Sequence, residues 1–259
     1  MSLRPSRRAA LSAGAAGLAS LLASGCDQIV SAPDARRFLR SAQALTIAAQ
    51  RTLLSGQRLA REFKPSDMSP IFRTNGSTDP QTPEYLALKG ANFSFYRLIV
   101  DGMVDAPLAL SMQDLRLLPQ RTQITRHDCV EGWSAIGKWS GVPLHEILTR
   151  AKIRYNAQYA VFHCYDVMPN REGALTPYYE SIDMVDAFHP QTILAHTLND
   201  APLAVGHGAP LRLRVERQLG YKQAKYIKHI TIVDRLDTIF GGNGGYWEDV
   251  AGYEWYGGI

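Results

Sequence analysis

The sequence predicts an α+β domain dominated by sheet. Short strand-like stretches are separated by long loops, and helical spacing is confined to a few short segments. No internal repeat and no second long apolar helix interrupts this pattern. The chain has 259 residues, enough for one large domain or two small ones, and at 46% hydrophobic and 20% charged it can bury a sizeable core. Three parts are expected: residues 1–26 as an export signal, 27–70 as a linker and N-terminal helix, and 71–259 as the main domain.

The elements follow in order. In 27–70, Phe38, Leu39, Ala42, Leu45, Ala49, Leu53 and Leu54 recur at helical spacing among Arg and Gln. Such a helix either packs on the domain or spaces it from a membrane; an amphipathic membrane-surface helix is the alternative. Residues 65–82, rich in Pro, Ser, Thr, Asp and Gly, read as loop. A strand is expected over 96–100, turning at Asp101-Gly102. Ser111 and Asp114 have capping-box spacing for a short helix that stops at Pro119. Residues 121–126 form a strand leading to Cys129, 143–150 are helical, and 159–163 form a strand. A turn is expected at 200–202. Leu211, Leu213 and Val215 alternate with Arg212, Arg214 and Glu216 at period two. The last strand covers 226–233, before a Gly- and aromatic-rich tail.

The leader carries an address. Arg4, Arg7 and Arg8 form a basic n-region, and 9–23 is apolar but too short to span a bilayer comfortably. Leu22-Ala23-Ser24-Gly25-Cys26 reads as a lipobox, implying a lipid anchor at Cys26. Arg7-Arg8 after Ser6 resembles a twin-arginine signal, the route for proteins that fold before export; an ordinary Sec signal is the alternative. The expected location is the periplasm or the outer face of the cytoplasmic membrane. Losing the three leader arginines takes the formal charge from +4 to +1, too little for a phosphate-tracking surface, so no nucleic-acid partner is expected.

The chemistry gathers around one cysteine. Cys129 ends a strand-like run and is followed by Val130-Glu131-Gly132-Trp133 and then Trp139-Ser140-Gly141-Val142-Pro143-Leu144. Without a nearby cysteine it cannot be a zinc knuckle. It can give one soft thiolate to a metal whose other ligands are not protein. With Cys26 lipidated, a Cys129–Cys164 disulfide is the competing reading. Glu131, if the backbone there is extended, shares a face with Cys129 and could hold a water or move a proton; otherwise it is a surface carboxylate. Two further blocks stand out: Asn92-Phe93-Ser94-Phe95-Tyr96-Arg97, and His207-Gly208-Ala209-Pro210-Leu211-Arg212 with Leu219 to Lys225. Arg212 offers a planar fork to a phosphate, and the turn at Gln223, Ala224 and Lys225 can cradle an anion.

These three blocks resemble the sulfite oxidase family of molybdopterin enzymes from about Phe72 onward, and within it the bacterial periplasmic branch that includes the methionine sulfoxide reductase catalytic subunit. The resemblance implies a sulfite-oxidase-type molybdopterin-binding fold with one molybdenum-molybdopterin (Mo-MPT) per chain. It implies Cys129 as the molybdenum ligand, and Asn92, Tyr96, Arg97, Cys164, His207, Arg212, Gln223, Ala224 and Lys225 as cofactor contacts. Asn92 is offset by an insertion. Cys164 and His207 depart from the nearest relatives, and each could equally be structural. Tyr178 to Ser181, Trp247, Trp255 and Tyr256 could rim the pocket.

The implied activity is two-electron oxygen-atom transfer, favoured as reduction of a small S- or N-oxide. Sulfite oxidation is the alternative, in which Arg126, Arg154, Arg171 and Arg217 would be candidates to converge on an oxyanion. A cofactor-free lipid-anchored scaffold is the reading from another class. No haem or flavin motif is present, so the resemblance implies a redox partner such as a membrane b-haem subunit or a c-type cytochrome. Replacing Arg7 and Arg8 together by Lys keeps the leader charge. Cofactor-loaded precursor should then accumulate in the cytoplasm, as read by fractionation; normal export would assign the Sec route.

Overall fold

The computed structural model describes residues 58–259, together with Leu45, Ala48 and Ala49, which are helical. The leader, the lipobox and most of the helix expected over 27–70 lie outside the described residues. The compact unit Gly56–Ile259 is separate from Met1–Ser55.

The unit is α+β, built on two five-stranded sheets. In the first, β1 (Leu98–Gly102), β2 (Leu108–Leu110), β5 (Tyr159–Pro169), β6 (Leu175–Asp183) and β10 (Ile227–Val233) run in the order β2-β1-β10-β5-β6. Only the β1–β10 pair is parallel. In the second, β3 (Arg121–Asp128), β4 (Ser134–Pro143), β7 (Ile193–Leu198) and β8 (Ala201–Pro202) are neighbours in that order, and β9 (Arg212–Arg214) pairs with β7.

The helices are short: α1 (Pro83–Gly90), α2 (Met112–Leu117), α3 (Leu144–Ala151), α4 (Met184–Ala187) and α5 (Tyr246–Val250). The capping box forms as its spacing predicts. Ser111 Oγ accepts from the Asp114 N–H at 3.1 Å, and Asp114 accepts from the Ser111 N–H at 2.8 Å. The expected strands over 121–126, 159–163 and 226–233 and the helix over 143–150 are present with shifted ends. The helix α1 was not expected, although Thr82-Pro83-Glu84 is a start signal, with Pro at the first helical position.

The core lies between the sheets. Leu98 and Val100 of β1, Ile230 and Ile232 of β10 and Phe162 of β5 meet Leu144, Ile147 and Leu148 of α3, with Val142, Leu194 and Leu213 from the second sheet. A smaller cluster covers the other face of the second sheet: Phe72, Ala135, Trp139, Ile193, Ala195, Leu198, Leu203 and Ala209. β7 is therefore buried on both faces and lacks a clean alternation, whereas β4 alternates in burial but carries Ala135, Gly137 and Gly141 among its buried positions. Residues ahead of α1 strap onto it: the Phe63 N–H donates to Ile124 O at 2.9 Å and the Ser69 N–H to Ile136 O at 3.0 Å.

The period-two run 211–216 is a strand only at β9, and both of its faces are buried. Leu211, Leu213 and Val215 enter the main core, while Arg212, Arg214 and Glu216 are buried on the other side. Arg214 and Glu216 pair through two bonds, Nε–Oε1 at 3.0 Å and Nη2–Oε2 at 2.6 Å, with neither side chain exposed. Gln123 Nε2 donates a third bond to Glu216 Oε1 at 2.8 Å. Removing one partner of such a pair strands a buried charge. Glu216→Ala should cost about 3–5 kcal/mol of folding stability, read as a lowered urea midpoint at unchanged m-value.

Candidate active site

The Cys129 site is built by a hairpin. β3 and β4 pair in unbroken register from Arg121↔Gly141 to Asp128↔Ser134, leaving Cys129 to Trp133 as the connecting loop. The Cys129 N–H donates to Trp133 O at 2.9 Å, and the Gly132 N–H to Cys129 O at 3.0 Å. Gly132 has φ +86°, a left-handed conformation that favours glycine. The backbone here is thus a tight turn, not the extended run assumed for Glu131. Glu131 still lines the cleft with Cys129, but it is exposed and its Oε2 accepts from Trp133 Nε1 at 2.9 Å. Cys129 is 8% exposed and is a free thiol, as is Cys164, so the disulfide alternative fails. Burial, first of all, raises the Cys129 pKa, and a metal would have to displace a held proton.

The cleft at Cys129 is assembled from distant segments. Asn75, Gly76 and Ser77 come from the chain ahead of α1, and Asp166 and Met168 from β5. Tyr178 comes from β6; Gly220, Tyr221, Gln223 and Lys225 come from the turn before β10. Trp247 of α5 and Tyr253 of the tail complete the wall. Trp247 and Tyr253 stack with centroids 5.7 Å apart and planes at 22°. Tyr178 Oη donates to Tyr221 O at 3.1 Å, and Tyr221 Oη to Glu254 O at 2.6 Å, so the rim is fixed at both ends. Of the residues expected to rim the pocket, Tyr178 and Trp247 do so; Trp255 is directed elsewhere, donating from Nε1 to Ser181 Oγ at 2.9 Å.

Beside the cleft lies a buried donor cluster. Arg212 is completely buried with its guanidinium 5.3 Å from the Trp139 ring centroid; Arg214 stands 4.4 Å from the same ring. Arg212 Nη1 donates to His207 O at 3.3 Å, but its Nε and Nη2 have no partner within the protein. Burial and then Arg214 lower its pKa to about 9. His207 Nδ1 and His127 Nε2 are likewise buried without partners. Arg214 Nη1 lies 3.0 Å from His127 Nδ1, and a guanidinium can only donate; the His127 proton is therefore assigned to Nε2. Gly220 makes room for that ring, since a Cβ there would lie 2.4 Å from His127 Cε1. Burial, Arg212 and Arg214 all lower the His127 pKa, and the ring is neutral.

Buried donors without acceptors are costly, and a fork of them on Arg212 fits a phosphate. The residues present thus fit a phosphorylated pterin, with Arg212 and His207 on its anionic end and Cys129 at the metal end.

The expected contacts Asn92, Tyr96, Arg97 and Cys164 lie away from the Cys129 cleft lining. Asn92 and Arg97 are exposed and line a different cleft with Arg116 and His196. The chain leaves α1 there in a left-handed turn, with Asn92 at φ +49° and Phe93 at +57°. Tyr96 is fully buried and donates from Oη to Ile227 O at 2.7 Å, a packing role. Cys164 is a core thiol that does not line the cleft; Asp166, two residues along β5, does.

Gln223 lines the cleft, held by Nε2 bonds to Val215 O and Gln218 O at 3.3 and 3.2 Å. Ala224 is a buried core residue whose carbonyl accepts from the Leu213 N–H at 2.8 Å. Lys225 lines the cleft, but its ammonium caps three carbonyls, those of Asn75 at 2.6 Å, Gly206 at 3.1 Å and Ser77. It ties Asn75-Gly76-Ser77 to the site rather than offering itself to an anion.

The arginines considered for an oxyanion are engaged elsewhere: Arg126 with Asp128, Arg154 with Asp105, Arg171 with Val250 O and Arg217 with Asp186. None of them lines the Cys129 cleft.

Arg212→Ala removes the buried guanidinium whose Nε and Nη2 lack a partner among the described residues. It should weaken pterin retention by about 1.5–3 kcal/mol, seen as lower pterin occupancy under competitive loading; unchanged occupancy would remove Arg212 from the anchor role.

Comparison with known proteins agrees with this geometry. The family described as "Oxidoreductase molybdopterin binding domain" matches residues 86–240. YedZ1 of Azospira oryzae, named for a protein-methionine-sulfoxide reductase subunit, is 39% identical over 203 residues, covering 76% of this chain and 70% of its own. The protein-methionine-sulfoxide reductase catalytic subunit MsrP of Xanthomonas campestris is 32% identical over 227 residues, covering 84% of this chain and 67% of its own. With its single cysteine at a closed cleft and a buried unpaired arginine beside it, the chain belongs to the oxidoreductase molybdopterin-binding family, the sulfite oxidase family, and is a molybdopterin-dependent oxidoreductase.

Proposed function

We propose that the chain reduces a small neutral oxide, an S-oxide first and an N-oxide second, at a molybdenum held by the Cys129 thiolate and the pterin. The observation that carries this reading is the lining of the Cys129 cleft. Its rim is aromatic, from Tyr178, Tyr221, Trp247 and Tyr253, with Met168 and Val130 beside them. Its one lysine is already capped by carbonyls, and Glu131 stands at its edge. A negative carboxylate without a facing arginine repels sulfite and tolerates a dipolar neutral oxide. The two relatives named for methionine sulfoxide reduction support the same class.

When bound, the group would supply the two-electron redox chemistry. The chain's own residues do the rest. Cys129 gives up its proton and offers sulfur to the metal. Arg212 and His207 hold the anionic end of the pterin. Gly220 brings backbone close without bulk, and Gln223 presents a side chain held by Val215 O and Gln218 O. The aromatic rim excludes water and receives the apolar substituents of the substrate.

Electrons would enter from a haem-bearing partner, a membrane b-haem subunit or a c-type cytochrome, and the site of action would be the periplasmic side, reached by the twin-arginine route, with Cys26 as lipid anchor. A paired assay on one preparation tests the direction: reduced viologen with methionine sulfoxide and other S- and N-oxides, against sulfite with ferricyanide. Oxide reduction that disappears in Cys129→Ser, while pterin is partly retained, is the expected result. Turnover of sulfite alone would reverse the direction, and wild-type protein that takes up no molybdenum in a competent host would favour the scaffold.

A further inference from the structure

Reducing an oxide consumes protons as well as electrons. For a sulfoxide the balance is R2SO + 2H+ + 2e− → R2S + H2O: the S–O bond breaks, and two O–H bonds form on the departing oxygen. The electrons come from the haem-bearing partner of the proposed function, on which this inference rests. The protons must reach the cleft from its own walls.

Two carboxyl groups line it. Glu131 is exposed and engaged with Trp133 Nε1. Asp166 differs. It is 4% exposed, its Oδ2 accepts from Ser77 Oγ at 3.0 Å, and its Oδ1 is buried with no partner. Ser77 is itself fixed, because its carbonyl accepts from Lys225 Nζ and from Tyr226 Oη. One oxygen of the carboxyl is therefore held in place, and the other has no donor to satisfy it. A buried carboxyl oxygen in that position gains by carrying a proton. We propose that Asp166 is the proton donor to the departing oxygen in the Cys129 cleft, with Ser77 as the residue that positions its carboxyl.

The surroundings suit a group that loads and unloads near neutrality. Lys225 acts on Asp166 from the turn before β10, and Asp166 in turn raises the pKa of Tyr85 on α1, Tyr178 on β6, Tyr226 just ahead of β10 and Cys164 on its own strand. Burial raises the carboxyl, Ser77 and Lys225 lower it, and burial wins, taking it up to about 6. Each delivery breaks the Asp166 O–H bond and makes one on the departing oxygen. The carboxylate is then recharged from solvent, so two deliveries and two electrons complete the balance.

The test uses the cofactor-loaded protein with methionine sulfoxide and reduced viologen. Asp166→Asn should lower kcat by about a hundredfold or more, with KM within about twofold and pterin content unchanged. Asp166→Glu should recover part of kcat. Wild-type kcat should fall as pH rises through about 6, and the Asn variant should be flat. Unchanged kcat in Asp166→Asn overturns the proposal, and so does loss of pterin in that variant, which would make Asp166 a cofactor contact.

Should the Asn variant not fold, the wild-type profile decides, because a kcat independent of pH between about 5 and 8 also overturns it. An infrared carboxylic C=O band that titrates near pH 6 in the wild type is the readout free of activity; its absence overturns the proposal. A wild type that reduces no oxide at any pH defeats the proposed function and this inference with it, whereas oxide reduction with a flat profile defeats this inference alone.

Discussion

Two guanidinium groups on one tryptophan organise this protein. Arg212 and Arg214 are two residues apart on β9, so they project from the same face, and Trp139 of β4 lies against both. Arg214 is fully answered by Glu216 and by the Nδ1 lone pair of His127. Arg212 is answered by a single carbonyl. Burial first, and then the like charge of Arg214, lower the Arg212 pKa. The unpaired member therefore asks for an anion that the chain does not contain. Binding a phosphate there relieves a penalty present in the folded protein alone, so cofactor affinity and fold stability are linked through one side chain.

The same ring of contacts places the thiol. Phe72 touches His127, Trp133, Trp139 and His207 at centroid separations of 5.8, 6.4, 5.1 and 5.8 Å. His127 and Trp133 flank Cys129 in sequence, and Trp139 faces Gln123 across the β3–β4 ladder. The hairpin cannot shift register without expelling Trp139 from between the two arginines, because a one-residue slip turns every side chain to the other face. The position of Cys129 thus follows from sheet register and aromatic packing.

Much of this was legible in the sequence, for identifiable reasons. β3 and the α2 cap were readable because one face of each meets solvent or because the capping chemistry is local. Cys129, Gln223 and Lys225 were singled out by residue type, and all three line one cleft. β7 was not readable, since burial on both faces erases its alternation, and β4 was not because its buried positions include Ala135, Gly137 and Gly141. Glu131 reaches the Cys129 cleft by a tight turn at Gly132 rather than by an extended run. Asn75 and Asp166 were invisible for a topological reason. They reach the cleft because Lys225 gathers the carbonyls of Asn75 and Ser77, and Ser77 in turn bonds Asp166, contacts spanning 89 to 150 positions in the chain. No local spacing encodes that. Asn92 attracted the assignment because it precedes an aromatic and an arginine, yet it sits in the left-handed turn after α1 and lines another cleft.

The tail is held by the same logic of buried charge, and it closes the cleft. Lys222 is fully buried, donating to Glu180 of β6 and to Glu248 of α5, the latter at 2.7 Å. Two carboxyl groups on one ammonium cannot both be ionised at ordinary cost, and burial together with Glu248 holds Glu180 well above the usual carboxylate range. An ionic cluster of this kind adds little net stability compared with an apolar one. Its effect is on placement. It joins the Gly220–Lys222 turn, which lines the floor of the cleft, to the helix that carries Trp247, which forms its wall. Gly245 leaves no slack in that joint, because a Cβ there would lie 2.0 Å from Glu248 Oε2. Floor and wall are therefore joined by buried ion pairs. The width of the cleft that a substrate meets at Cys129 is set by a charge cluster behind it, which the substrate never touches.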